Sequence, residues 1–223
     1  VGIIILLQTG RGLTVAQAAS SFAIGGLVTF LLELPTSGFA DAVGRRPVYL
    51  AAAVLGVVAA VAIALAQTFW AFVAAAVVMG AFRALDSGPL EAWFVDTVHL
   101  TEPGADVDQQ LSRAGTVLGG AIAVGAILSG GLIWWDPVRT VFGVSGVSAL
   151  DAAAWVSAAL AVVHLVAAAL LMHEPRPEAA AGRTRFAHAL AEGRQTPAVI
   201  RSGLRLLATN RVLLGIVIVD VFW

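Results

Sequence analysis

The chain has 223 residues, 59% of them hydrophobic and 12% charged, with a formal net charge of -1. Soluble domains run at about 45–50% apolar and about 25% charged, so this excess of apolar surface calls for lipid as the solvent. Nucleic-acid binding is excluded because no basic face stands free of the apolar pattern, and the absence of cysteine excludes disulfides, thiolate zinc clusters and thiol nucleophiles.

A membrane-spanning helix needs about 20 apolar residues. Val1–Leu7 is too short to span or to act as a signal peptide, and reads as the last turns of a helix whose start is missing. Five complete spans follow: Val15–Ala40, Val48–Ala66, Phe69–Val95, Leu111–Trp135 and Ala152–Met172. Arg211–Trp223 reads as the opening of a further span. The pattern predicts an all-α polytopic membrane protein. Its parts are a bundle over residues 1–173, a polar linker over 174–210, and the start of a seventh helix over 211–223.

Arginine sets the orientation. All 13 basic residues are arginine, and those in loops fall unevenly. Arg45, Arg46, Arg176, Arg183, Arg185, Arg194, Arg201 and Arg205 lie on one side, Arg11 and Arg139 on the other. The arginine-rich side is cytoplasmic by the positive-inside rule. Trp70, Trp134, Trp135 and Trp155 lie at helix ends on the opposite side, where an aromatic belt belongs. Loops 2–3, 4–5 and 6–7 are then cytoplasmic, and the expected location is the plasma (inner) membrane.

The first two complete spans are joined by Ser37–Pro47, read as a short charged turn. The outer loop Asp136–Asp151 contains Gly143-Val144-Ser145-Gly146, which lacks the strand-turn-helix setting of a nucleophile elbow. In the linker, Pro175 and Pro177 stop the sixth helix. Thr196 and Pro197 then open an amphipathic helix with Ile200, Leu204 and Leu207 on one face and Arg201 and Arg205 on the other.

Ionisable groups inside a span cost roughly 2.5–3.5 kcal/mol each on insertion scales and are functional candidates by default. Here they are Glu33, Arg83, Asp86, Glu91 and Asp220, the candidates for proton coupling or for a substrate cavity. Arg83 and Asp86 are three residues apart on one helix, which allows either a functional pair or a self-neutralising one. Glu33 precedes Pro35, where a kink is expected. A carboxylate in apolar surroundings holds its proton to higher pH, which suits it to proton exchange. His164 stands in a complete span with no neighbouring ligand in sequence. Gly115, Gly119, Gly125 and Gly130 form a small-residue face suited to helix packing.

Asp41-Ala42-Val43-Gly44-Arg45-Arg46-Pro47, between the second and third helices, resembles the loop signature G-x-L-A-D-R-x-G-R-R/K of the major facilitator superfamily. Glu33-Leu34-Pro35-Thr36 before it resembles a variant found among drug-exporter-like members. Ser37 stands in place of the first glycine of the signature, and Ala42 in place of the arginine after the aspartate. Gly125-Ala126-Ile127-Leu128-Ser129-Gly130 resembles the antiporter motif G-P-x-x-G-G without its proline.

The resemblance implies the N-terminal six-helix half of a two-half transporter working by alternating access. It implies a conformational latch of Asp41, Gly44, Arg45, Arg46 and Asp96, in which Arg45 pairs with Asp96 and Asp41 faces the second half. The expected partners are a small-molecule substrate, protons, the bilayer and the missing C-terminal half, with no cofactor and no metal. Proton-coupled efflux is the first reading. A non-transporting scaffold or receptor is the alternative, but it gains little from midplane charges. An enzyme would need a nucleophile–base pair or metal ligands in the spans, so no enzymatic activity is expected.

Overall fold

A computed structural model of the chain describes residues 2–86, 88–102, 104–136, 140 and 148–173, with the side chains of residues 34–43 outside the description. Asp220, Arg139, the Gly143–Gly146 run and the 174–210 linker therefore lie outside the described residues. Among the described residues the fold is all-α. The helices are α1 (Gly2–Gly10), α2 (Val15–Val43), α3 (Arg45–Leu65), α4 (Phe69–Asp86), α5 (Pro89–Thr101), α6 (Asp108–Trp135) and α7 (Ala149–Leu171). Among the described residues five stretches are long and apolar enough to cross a membrane, counting Phe69–Thr101 as one. Each span begins at the end of the bundle where the previous one stops. The two ends are called here the Arg11 end and the Arg45 end.

Three boundaries differ from the sequence-based expectation. Ser37–Pro47 is not a turn of that length, since α2 runs to Val43, α3 starts at Arg45, and Gly44 alone separates them. Gly44 has φ 112°, a backbone conformation that only glycine adopts without strain. The whole reversal is concentrated there, and the charged residues around it are helical. The helix of α2 also continues through Pro35. The span expected as one helix over Phe69–Val95 is broken into α4 and α5. Gly88 has φ 89° and Pro89 takes the first turn of α5, so the helix stops at glycine and restarts at the position that needs no N–H.

α4 is the central helix and packs along both α2 and α3. Glycine sets how closely it approaches. A Cβ at Gly80 would lie 2.5 Å from the Gly25 carbonyl oxygen and 2.9 Å from the Val28 Cβ, and one at Gly56 would lie 3.1 Å from the Phe82 ring. Thr29 Oγ1 donates across the same crossing to the Gly80 carbonyl at 3.3 Å. Among the described residues nothing lies within 4 Å of a Cβ placed at Gly115, Gly119, Gly125 or Gly130, and the middle of α6, which packs on α7, is exposed. The close approaches in the described bundle are at Gly25, Gly56 and Gly80.

The best-packed region is at the Arg11 end. Leu7, Leu13, Ala64, Ala66, Phe72 and Ala154 form a buried cluster there, drawing on five parts of the chain. Trp70, Trp134, Trp135 and Trp155 stand exposed at this same end of their helices.

Candidate functional site

A cavity of about 450 Å³ lies between α1, α2 and α4, with Ile63 of α3 closing one side. Two helical stripes build most of its wall. Phe22, Gly25, Gly26, Thr29, Phe30 and Glu33 repeat down one face of α2, and Phe72, Ala76, Met79, Gly80 and Arg83 down one face of α4. This is the spacing that puts residues on a single helical face. The stripes start apolar and end charged. Glu33 and Arg83 each stand about one turn beyond the Thr29–Gly80 contact, so the acid and the base share one end of one cavity.

Between α1 and α2 the cavity wall also holds a buried polar pair. Gln8 and Ser21 are 3% and 1% exposed. Gln8 Nε2 donates to Ser21 Oγ at 3.1 Å, and Ser21 Oγ is 2.8 Å from the Ala18 carbonyl. The pair satisfies itself, as buried polar groups must, and offers a neutral hydrogen-bonding surface to whatever fills the cavity.

The other expected site residues fall in three places. Arg83 and Asp86 form no ion pair with each other; Arg83 lines the cavity, and Asp86 ends α4 away from it. Glu91 is exposed in the first turn of α5. Arg45 Nε lies 2.8 Å from Asp96 Oδ2, joining the start of α3 to α5, with the two side chains 24% and 56% exposed. Arg46 Nη2 donates to the Ala169 carbonyl of α7 at 2.9 Å. Asp41 is in the last turn of α2, and its side chain lies outside the description.

The chain matches the family model of the Major Facilitator Superfamily over residues 1–223. The chain belongs to the major facilitator superfamily. No curated protein and no solved structure gives a significant match. As a member of this family of secondary transporters, the chain is a multi-pass membrane protein that handles a small molecule within the bilayer. Among the described residues no group of three or more His, Cys, Asp and Glu could hold a metal ion.

Sequence reasoning missed the strongest polar cluster of this superfamily member. Arg11, in the loop between α1 and α2, reaches the C-terminus of α3 and the N-terminus of α7. Its guanidinium donates to the carbonyls of Ile63 (3.1 Å), Ala64 (2.8 Å) and Ala66, and to Asp151 Oδ1 at 2.6 Å. It also lies 5.8 Å from the centre of the Phe72 ring. Asp151 accepts at the same time from Ser148, whose hydroxyl is 2.8 Å from Oδ2, closing a capping box on α7. A cation at a helix C-terminus and an anion at a helix N-terminus are both favourably placed against the helix dipoles. The signal available in sequence was Ser148-Ala149-Leu150-Asp151, a capping-box spacing directly before an apolar run.

Proposed function

We propose that this chain is the N-terminal half of a proton-coupled exporter that works by alternating access, with its second half beyond residue 210. The observation that carries the reading is the shared cavity end of Glu33 and Arg83. A carboxylate and a guanidinium on facing stripes, one turn past a glycine-tight crossing, form a place where a proton and a polar substrate group compete. Proton entry to Glu33 removes its charge and changes what Arg83 attracts. The substrate is a small amphipathic molecule, matched to an aromatic wall with charged groups at one end.

In this reading the Arg45 end is cytoplasmic, and the Arg45–Asp96 pair with Asp41 holds the two halves together there in the outward-open state. Opening to the cytoplasm breaks that contact. The loop arginines support the orientation, and the identity of the residues in the family's loop signature supports the latch.

The test is transport by the full-length parent in proteoliposomes, with and without an imposed pH gradient. The gradient should drive transport, and Glu33→Gln should abolish that dependence while leaving gradient-free substrate exchange measurable. Transport indifferent to the gradient in the unmodified protein would overturn the coupling.

A further inference from the structure

The charged end of the central cavity holds two side chains of opposite sign that do not neutralise each other. Glu33 and Arg83 both line it, on α2 and α4, which meet at the Thr29–Gly80 contact. Four residues of α2 and three of α4 separate them from that contact, so by helix rise they stand within about 2 Å of one level. They form no ion pair with each other. Among the described residues Arg83 makes no hydrogen bond and no ion pair, although it lies near the middle of the Phe69–Thr101 span, where an arginine needs a counter-ion or a wet cavity. Asp86, the next acid on α4, does not line the cavity.

The rest of the wall is apolar or neutral, with Phe22 and Phe30 of α2 and Phe72 and Met79 of α4 facing the space. A cavity of about 450 Å³ takes one small molecule. Charge balance decides what that molecule carries. The two side chains sum to zero. A cationic guest pairs with Glu33 and leaves Arg83 beside a second positive charge. An anionic guest pairs with Arg83 and leaves Glu33 beside a second negative one. Either leaves one net charge in a low-dielectric setting, where an uncompensated ion is costly. A guest with one charge of each sign adds none and gives each side chain an opposite partner. Arg83 presents the planar fork that matches a carboxylate, and Glu33 accepts from an ammonium in a charge-assisted hydrogen bond.

We propose that the cavity selects zwitterions: small molecules whose carboxylate binds Arg83, whose ammonium binds Glu33, and whose apolar body lies along Phe22, Phe30, Phe72 and Met79. This substrate class rests on the proposed role of the cavity as the transport site and narrows it. The ammonium supplies the competition with a proton. A proton arriving at Glu33 leaves the ammonium without a partner, and the zwitterion is released.

The experiment is equilibrium binding to the transporter in lipid nanodiscs, without a gradient, of three probes that share one ring. They are L-phenylalanine, phenethylamine, which lacks the carboxylate, and phenylpropionate, which lacks the amine. Phenylalanine should bind at least about tenfold more tightly than either. Arg83→Gln should remove its advantage over phenethylamine, and Glu33→Gln its advantage over phenylpropionate. The order of the three probes on the unmodified protein tests the class even if neither variant folds. A single-charge probe that binds as tightly as phenylalanine, no binding by any of the three, or an order unmoved by both substitutions overturns the proposal. Phenylalanine binding in a transporter indifferent to the pH gradient would sink the proton coupling alone. Gradient-driven transport with no preference for the zwitterion would sink this inference alone.

Discussion

The two ends of the bundle each carry an arginine–aspartate pair, and the pairs differ in burial and in what surrounds them. At the Arg11 end the side chains are 10% and 30% exposed and the contact is 2.6 Å. The guanidinium is also bound by the carbonyls of Ile63 and Ala64 in the last turn of α3 and of Ala66 just after it, and it sits over a buried apolar cluster. At the Arg45 end the side chains are 24% and 56% exposed. A charge held by four acceptors in a dry setting is costly to release. An exposed pair in a wet setting costs about 1 kcal/mol or less to break. In the function proposed above, the first serves as a lasting joint between helices and the second as the contact made and unmade in a transport cycle.

Three substitutions in the transporter separate these roles. Arg11→Ala leaves Asp151 and three carbonyls short of a partner. It should cost about 3 kcal/mol, read as a fall in thermal unfolding midpoint and in the yield of folded protein. Gly80→Ala forces a methyl into the Gly25 carbonyl and Val28, a clash at the α2–α4 crossing between the two ends. It should cost about 2 kcal/mol and alter the cavity, so substrate affinity should fall with stability. Arg45→Ala should change stability by less than about 1 kcal/mol yet abolish most transport. If Arg45→Ala proves as destabilising as Arg11→Ala, the distinction between joint and latch is lost.

The helices were legible because lipid demands long apolar runs, and among the described residues every run but the fourth became a single helix within a few residues of its expected place. Arg45 and Asp96 were legible through the loop signature, since signature and helix depth put them at one level. The Arg11 joint was not, because its partners lie 52 to 140 residues away and backbone carbonyls leave no trace in sequence. The break in the fourth span was written in Gly88-Pro89 and overlooked, because the apolar run continues through it. His164 read as solitary because its hydrogen-bond partner, Tyr49, is 115 residues distant. The spacing of the α6 glycines records that a helix can be approached closely but not which neighbour approaches it.

The account turns most directly on a pair of charge swaps assayed for folded yield and for transport. Arg45→Asp combined with Asp96→Arg restores an ion pair with its sign reversed, and should recover much of the transport that either single change removes. Arg11→Asp combined with Asp151→Arg restores a pair on paper but turns a carboxylate toward the α3 carbonyls, and should leave the protein unfolded. Recovery at both ends, or at neither, would contradict a fixed joint at one end and a releasable latch at the other.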